Sequence, residues 1–208
     1  MNKNLLRTTR IVAVVLIFVV AGFWVGQRFW QGSTMKPASG RLEQPAVAAT
    51  ELPDFSLLDL EAQPRSIHEW KDKALLINFW ATWCAPCRRE MPLLQTLAEE
   101  RRGTPFQIIG IAVDELPAVS TYVSETGVTY PILVGSDDAM EAAESFGPDF
   151  VGLPFSVFVA RGGKVLGTHS GELDREALRA VLKVMDGVSS GSISVAGARA
   201  QLAGDALQ

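Results

Sequence analysis

The chain has 208 residues, of which 48% are hydrophobic, 20% are charged and two are cysteines. This length allows one ordinary domain with extensions, and two cysteines exclude a small protein held together by several disulfides. The formal net charge of −4 divides into +4 for residues 1–30 and −8 for residues 31–208, and so acidic a domain argues against nucleic acid as a partner.

The N-terminal segment predicts a membrane anchor. Lys3, Arg7 and Arg10 precede an uncharged apolar run over residues 11–26, and extension through Arg28 to Trp30 makes the segment long enough to span a bilayer. We therefore expect a single transmembrane helix within residues 1–30, with the N-terminus in the cytoplasm and the rest of the chain exported. A cleaved signal peptide and a buried soluble helix are the alternatives, although no convincing cleavage site follows the run.

Two segments flank the predicted domain, which covers residues 51–187. Residues 31–50 are rich in Gly, Pro, Ser, Thr and Ala and predict a linker. Residues 188–208 contain few large apolar side chains and predict a disordered tail. A weak docking helix over residues 195–207 is the alternative for this tail.

Between these ends, apolar runs of strand length alternate with amphipathic segments of helical period. This alternation predicts an α/β fold with a mostly parallel sheet, helices on both faces and an antiparallel hairpin at one side. The predicted strands are residues 55–60, 74–80, 106–113, 130–134, 155–160 and 164–168, and the predicted helices are residues 85–101, 117–126, 137–146 and 175–185.

The two cysteines lie where a buried strand gives way to a helix, in the sequence Cys84-Ala85-Pro86-Cys87. Amides at a helix N-terminus favour an anion, and the neighbouring Arg88 and Arg89 add positive charge, so the field favours the Cys84 thiolate. Cys84 is thus the candidate nucleophile and Cys87, one turn further on, the candidate resolving thiol. Pro86 stiffens the ring that a disulfide would close.

Other interpretations of the pair have less support. A zinc site would need two more ligands, and His68 and His169 are isolated from each other and from the cysteines, so we expect no metal. A CxxCH haem attachment site would need histidine where Arg88 stands. A structural disulfide across two residues would constrain the unfolded chain little, and the spacing before Cys84 does not match a peroxidatic motif.

The motif is similar to a known active site. The run NFWATWCAPC, Asn78 to Cys87, resembles the signature of the thioredoxin family, with Pro92 placed like that family's helix-kinking proline. Gly152-Leu153-Pro154 resembles the family's loop with a cis-proline. The resemblance covers residues 51–185 and is greatest to the bacterial membrane-anchored branch of the TlpA and cytochrome-c-maturation type.

That resemblance implies several properties of this chain. The fold would be thioredoxin-like, a central mixed β-sheet flanked by helices, with an inserted helix-strand unit over residues 115–134. Cys84 and Cys87 would form a redox-active disulfide, and no cofactor is expected. The substrate-binding residues would be those around the pair and in the proline loop, namely Trp83, Ala85, Pro86, Leu153 and Pro154.

The sequence departs from thioredoxin at one important position. Thioredoxins proper carry a buried aspartate two residues before the strand tryptophan, where this chain has Asn78. Another group must then take the proton of Cys87, and Glu90 lies one helical turn beyond it. Reductive members of the resembled branch carry a glutamate at this position, so Glu90 is the candidate acid/base group, the alternative being a solvated residue of the helix.

Together with this resemblance, the sequence predicts a protein thiol-disulfide oxidoreductase of the bacterial inner membrane, with its catalytic domain in the periplasm or another extracytoplasmic space. Its partners would be protein thiols or disulfides and a membrane thiol donor, and the expected direction is reduction, as in cytochrome c maturation. A tethered adaptor with an inert disulfide, and an oxidase or isomerase, are the alternatives.

Overall fold

The computed structural model describes residues 48–203, which form a seven-stranded sheet with helices on both faces. A 3-10 turn, Ile67–Trp70, follows the second strand. The strands are β1 (Ser56–Asp59), β2 (Pro64–Ser66), β3 (Ala74–Trp80), β4 (Phe106–Val113), β5 (Ile132–Gly135), β6 (Phe155–Val159) and β7 (Val165–Ser170). The helices are α1 (Ala85–Glu100), α2 (Leu116–Thr126), α3 (Asp137–Glu144), α4 (Arg175–Ser189) and α5 (Val195–Ala203).

The strand order is β2-β1-β5-β4-β3-β6-β7. Only two of the six neighbouring pairs, β3–β4 and β4–β5, are parallel. The thioredoxin-like architecture with a mixed sheet is confirmed, whereas the prediction of a mostly parallel sheet is wrong. The difference arises because an antiparallel hairpin pairs with each side of the parallel strands: β1–β2 against β5, and β6–β7 against β3.

Strand β3 shows how the sequence positions the core. All seven of its residues are buried, and successive side chains alternate between the two faces of the sheet. Leu76 and Trp80 pack in the layer that contains α1, α2, α4 and α5, while Ile77 packs in the layer of α3 and the 3-10 turn. Asn78 shares the face of Leu76 and Trp80, which places it beneath α1.

The predicted insertion is present as α2 and β5. Helix α2 ends where the sequence indicates, because Gly127 has a φ of 72° and its amide donates to the carbonyl of Val123. A positive φ is readily accessible to glycine. The chain then reaches β5, which pairs with β4 in parallel.

The prediction of a disordered tail is wrong for residues 188–203. Helix α5 lies against β7, and its Ala198 and Leu202 are buried. A side chain at Gly167 would meet Leu202 at 3.0 Å, so the helix approaches the strand closely. The few large apolar residues suffice because small residues allow this approach, and Arg199 donates to the carbonyls of Val165 and Thr50 at 2.8 and 2.7 Å.

The domain begins slightly before the predicted boundary at residue 51. The amide of Ala49 donates to Phe146, and the carbonyl of Thr50 accepts from Val165, so the last residues of the predicted linker already belong to the domain. None of the helices within residues 48–203 has both the length and the apolar composition needed to cross a bilayer. The predicted anchor, residues 1–30, lies outside the described residues.

Candidate active site

The cysteine pair lies at the start of α1, just beyond the carboxyl end of β3. Cys84 is the N-cap residue of the helix, and its sulfur accepts a hydrogen bond from the amide of Cys87 at 3.3 Å. The loop before it is held by Thr82, whose amide and hydroxyl donate to a carboxylate oxygen of Asp114 at 2.9 and 2.5 Å. Since Asp114 follows β4, the two central parallel strands jointly position the loop.

Cys84 and Cys87 are joined in a disulfide. Cys84 retains 5% of its accessible surface, whereas Cys87 is fully buried. A partner sulfur can therefore approach the pair only from the side of Cys84, in keeping with a nucleophile at Cys84 and a resolving thiol at Cys87. These two roles stay predictions.

The two arginines after the pair differ in their surroundings. Arg89 is bound to Glu172 through contacts of 2.5 and 2.9 Å, so much of its charge is compensated. Arg88 is exposed and takes part in none of the ion pairs within residues 48–203. The positive field near the sulfurs therefore comes from the helix start and Arg88 more than from Arg89.

Glu90 is buried beneath the helix, with only 2% of its surface exposed, so the interpretation as a solvated helix residue is wrong. Its Oε1 accepts from Asn78 Nδ2 at 2.8 Å, and its Oε2 accepts from the amide of Leu173 at 2.7 Å. Burial raises the pKa of Glu90 to about 7, against the two hydrogen bonds, which lower it, and with a smaller contribution from the nearby Glu172. A carboxyl group with this pKa can exchange protons near neutral pH.

The raised pKa of Glu90 predicts a pH-dependent stability. Between the ordinary value of 4.5 and about 7 the folded state binds more protons than the unfolded state, so the free energy of unfolding should fall as the pH rises through this range. The expected loss is about 3 kcal/mol, and it should level off above about pH 7. Denaturant unfolding of the oxidised protein at a series of pH values measures it.

The matched variant for this measurement is Glu90→Gln, which keeps the shape and removes the titration. The difference in unfolding free energy between the native protein and the variant should follow the titration of one carboxyl group. A difference independent of pH would show that Glu90 titrates in the folded protein as it does in the unfolded chain.

The proline loop reaches the same end of the sheet. Phe155 of β6 lies opposite Phe79 of β3, which places Leu153 and Pro154 near the end of β3 that leads to the cysteines. The predicted cis bond between Leu153 and Pro154 is confirmed. Pro154 is buried and Leu153 half-buried, so side-chain contact with a substrate is more open to Leu153 than to Pro154.

Two exposed apolar side chains flank this region. Trp83 is 68% exposed and Val151 83% exposed, and both belong to loops at the sheet end that carries the disulfide. Ala85 is exposed and Pro86 half-buried, so both are accessible beside the sulfurs. The exposure of Val151 is not predictable from the sequence, because a single apolar residue in a loop has no periodicity that would indicate it.

Ser156 also contributes to the site, although no sequence motif indicates it. Its hydroxyl accepts from Asn78 Nδ2 at 3.1 Å, 78 residues away along the chain. Asn78, Ser156 and Glu90 thus form a buried polar cluster beneath the disulfide helix. Within residues 48–203 no group of three or more metal-binding side chains is arranged to hold a metal ion.

The chain is similar to known thiol-disulfide oxidoreductases. The Redoxin family model matches residues 47–184. The thiol-disulfide oxidoreductase ResA of Bacillus cereus is 30% identical over 184 residues, which covers 88% of this chain and 98% of that protein. The ResA of Geobacillus thermodenitrificans is 28% identical over 180 residues, 86% of this chain and 95% of that one.

The fold is similar to solved structures of thiol:disulfide interchange proteins. The crystal structure of a thiol:disulfide interchange protein from Chlorobium tepidum is 31% identical with a TM-score of 0.54, covering 62% of this chain and 90% of that one. The solution structure of a thiol:disulfide interchange protein from a Bacteroides species is 25% identical with a TM-score of 0.59, covering 70% and 94%.

Proposed function

This chain belongs to the Redoxin family and is a protein thiol-disulfide oxidoreductase, and from that premise we propose that it reduces protein disulfides outside the cytoplasm while residues 1–30 hold it at the bacterial inner membrane. The observation that carries the chemistry is the disulfide at the start of α1, with one accessible sulfur and the buried Glu90 carboxyl below it. The family membership favours this enzyme over a tethered adaptor with an inert disulfide.

The reaction passes two electrons from the reduced pair to a substrate disulfide. The Cys84 thiolate attacks one substrate sulfur, so a mixed disulfide forms and the other substrate sulfur leaves as a thiolate. Cys87 then loses its proton to Glu90, and its sulfur attacks Cys84. The substrate leaves fully reduced, and the Cys84–Cys87 disulfide that the structure contains is formed. A thiol donor in the membrane would restore the dithiol.

The buried carboxyl group supports reduction as the direction. Oxidants of this chemistry stabilise the reduced pair as a thiolate. Within residues 48–203 the ionised Glu90 is buried and has no cationic partner within hydrogen-bonding distance, so its charge would disfavour a thiolate in the nearby cysteine pair. The resemblance to the cytochrome-c-maturation branch supports the same direction, and apocytochrome disulfides are candidate substrates.

The equilibrium reduction potential of the pair tests this direction. We expect a value near that of thioredoxin, about −270 mV, when the protein is equilibrated with a dithiol buffer. A value near about −120 mV would instead identify an oxidase, and one near about −180 mV an isomerase.

The proposed location rests on the sequence of residues 1–30, in which three basic residues precede an uncharged apolar run. We expect the full chain to remain in the membrane fraction after alkaline extraction, with the domain accessible to protease only from the exported side. Recovery of a soluble protein with a new N-terminus after Gly26 would show that a signal peptide is cleaved instead.

We further propose that Trp83 and Val151 contact protein substrates on the two sides of the disulfide. The loop that carries Val151 is anchored by two contacts. Asp149 Oδ2 accepts a hydrogen bond from Thr168 Oγ1 at 2.9 Å, and the rings of Phe150 and Phe155 pack with their centroids 5.2 Å apart. Val151 is thus held in its exposed position. An apolar segment beside the substrate cysteine could cover both side chains.

Trp83→Ser and Val151→Ser should each lower kcat/KM for a protein disulfide by about threefold to tenfold, because each removes an apolar contact of about 1 kcal/mol. The rate with glutathione disulfide, which has no apolar side chain to contact Trp83 or Val151, should stay unchanged. The control is Leu58→Ser, since Leu58 is also exposed but lies on β1, away from the loops that carry the site. Equal losses in all three variants would contradict the proposed contact.

A further inference from the structure

Asn78 occupies an unusual position among the buried polar residues. Its side chain is fully buried, and its Nδ2 donates both to Glu90 Oε1 at 2.8 Å and to Ser156 Oγ at 3.1 Å. Its Oδ1 is equally buried but accepts no hydrogen bond within the part of the chain that the structure describes. The Nδ2 group therefore makes two hydrogen bonds, whereas Oδ1 is a buried acceptor without a partner, which is energetically unfavourable.

This arrangement suits the ionised form of Glu90, in which both carboxylate oxygens accept hydrogen bonds. When the carboxyl group takes up a proton, Oε2 remains bound to the amide of Leu173, so the proton is placed on Oε1. The O–H at Oε1 would then face the N–H of Asn78 across 2.8 Å. Two donors cannot share one hydrogen bond, so one of the groups must change.

We propose that the side-chain amide of Asn78 reverses when Glu90 is protonated, so that Oδ1 takes the place of Nδ2 and Asn78 serves as a positioning residue for both states of the proton acceptor. The inference rests on the proposed function, in which Glu90 receives the proton of Cys87. The S–H bond of Cys87 breaks, an O–H bond forms at Glu90 Oε1, and this O–H then donates to Asn78 Oδ1.

Ser156 makes the reversal possible without any backbone movement. A hydroxyl group can accept or donate, so Ser156 Oγ accepts from Nδ2 in one state and donates to Oδ1 in the other. The oxygen that lacks a partner in the observed state thereby gains two donors, Glu90 and Ser156, while Nδ2 moves to the position that Oδ1 leaves, where the described structure has no hydrogen bond. An aspartate at position 78 could not do this, because its carboxylate would repel that of Glu90.

Other titratable groups lie near the cluster, and their titration must be distinguished from that of Glu90. Glu172 and the buried phenol of Tyr130 interact electrostatically with Glu90, Cys87 lies on the same helix, and His169 is opposite Ser156 in the register of β6 and β7. The cysteines do not titrate while they form the disulfide, so the oxidised protein isolates the carboxyl group. His169→Asn and Glu172→Gln serve as controls, and the response of Asn78 should persist in both.

NMR spectroscopy of the oxidised full-length chain in detergent micelles tests the reversal. The measurement identifies which hydrogens lie close to the side-chain amide hydrogens of Asn78. At about pH 9 these hydrogens should show nuclear Overhauser contacts to the Glu90 γ and Ser156 β hydrogens. At about pH 5 the contacts should be lost, with the same midpoint as the Glu90 carboxyl carbon. Glu90→Gln should show the low-pH pattern at both values, because its own amide N–H would face Asn78 and require Oδ1.

Each contrary result has a separate meaning. Contacts that persist at both pH values while the Glu90 carboxyl titrates would overturn the reversal and leave the proposed function intact. The high-pH pattern in Glu90→Gln would also overturn it. A Glu90 carboxyl that does not titrate between the two pH values would overturn both the reversal and the role of Glu90 as proton acceptor.

Discussion

Replacing Cys84 with serine is expected to lower the rate of thiol-disulfide exchange by about three orders of magnitude or more, because the attacking sulfur is lost. The fold should survive the change. Cys84 is the N-cap of α1 and its side chain accepts from the amide of Cys87, and serine is among the favoured N-cap residues. Reduction of a protein disulfide, followed at saturating reductant, measures the loss.

The control for this experiment is the far-UV spectrum and the unfolding midpoint of the reduced variant, compared with those of the reduced native protein. An unchanged fold with lost activity assigns the loss to the chemistry. Activity within tenfold of the native rate would show that Cys84 is not the attacking sulfur.

Replacing Glu90 with glutamine is expected to slow the exchange by about 10- to 100-fold, the usual effect of losing one acid/base group. Only the ionised carboxyl group can accept the Cys87 proton, so the native rate should rise with pH through a midpoint near the Glu90 pKa of about 7. Glutamine cannot accept this proton, so that inflection should disappear from the pH profile. Stopped-flow rates of substrate release across the pH range measure both effects.

The matched control is Glu100→Gln, which alters an exposed carboxyl group at the far end of the same helix. It should leave both the rate and the pH profile unchanged. An unchanged profile in Glu90→Gln would assign proton transfer to water or to another residue.

The sequence predicts best those elements of the fold that are buried on both faces. Strands β3 and β4 have the predicted bounds, because continuous apolar runs of strand length end abruptly at polar or turn residues. Strand β2 was missed, since Pro64–Ser66 has no apolar residue and pairs only at the sheet edge. Helix α5 was predicted only as the alternative to a disordered tail, because its docking depends on alanine and glycine contacts that hydropathy does not detect.

The site residues also differ in how far the sequence predicts them. Cys84 and Cys87 are local in sequence, and their spacing at a strand-to-helix junction is enough to indicate redox chemistry. The state of Glu90 is not local, because it depends on the amide of Leu173, 83 residues further along the chain. Helical spacing from Cys87 indicated Glu90 as the candidate, whereas only the tertiary structure shows its burial and its contact with Asn78.

Trapping the reaction intermediate tests the central claim most directly. In Cys87→Ser the mixed disulfide cannot be resolved, so covalent complexes with substrate proteins should accumulate, and mass spectrometry should find every linkage at Cys84. In Cys84→Ser the fully buried Cys87 should give almost none. Complexes formed through Cys87 in Cys84→Ser, at a yield equal to that of Cys87→Ser, would contradict the assignment of Cys84 as the sulfur that attacks the substrate.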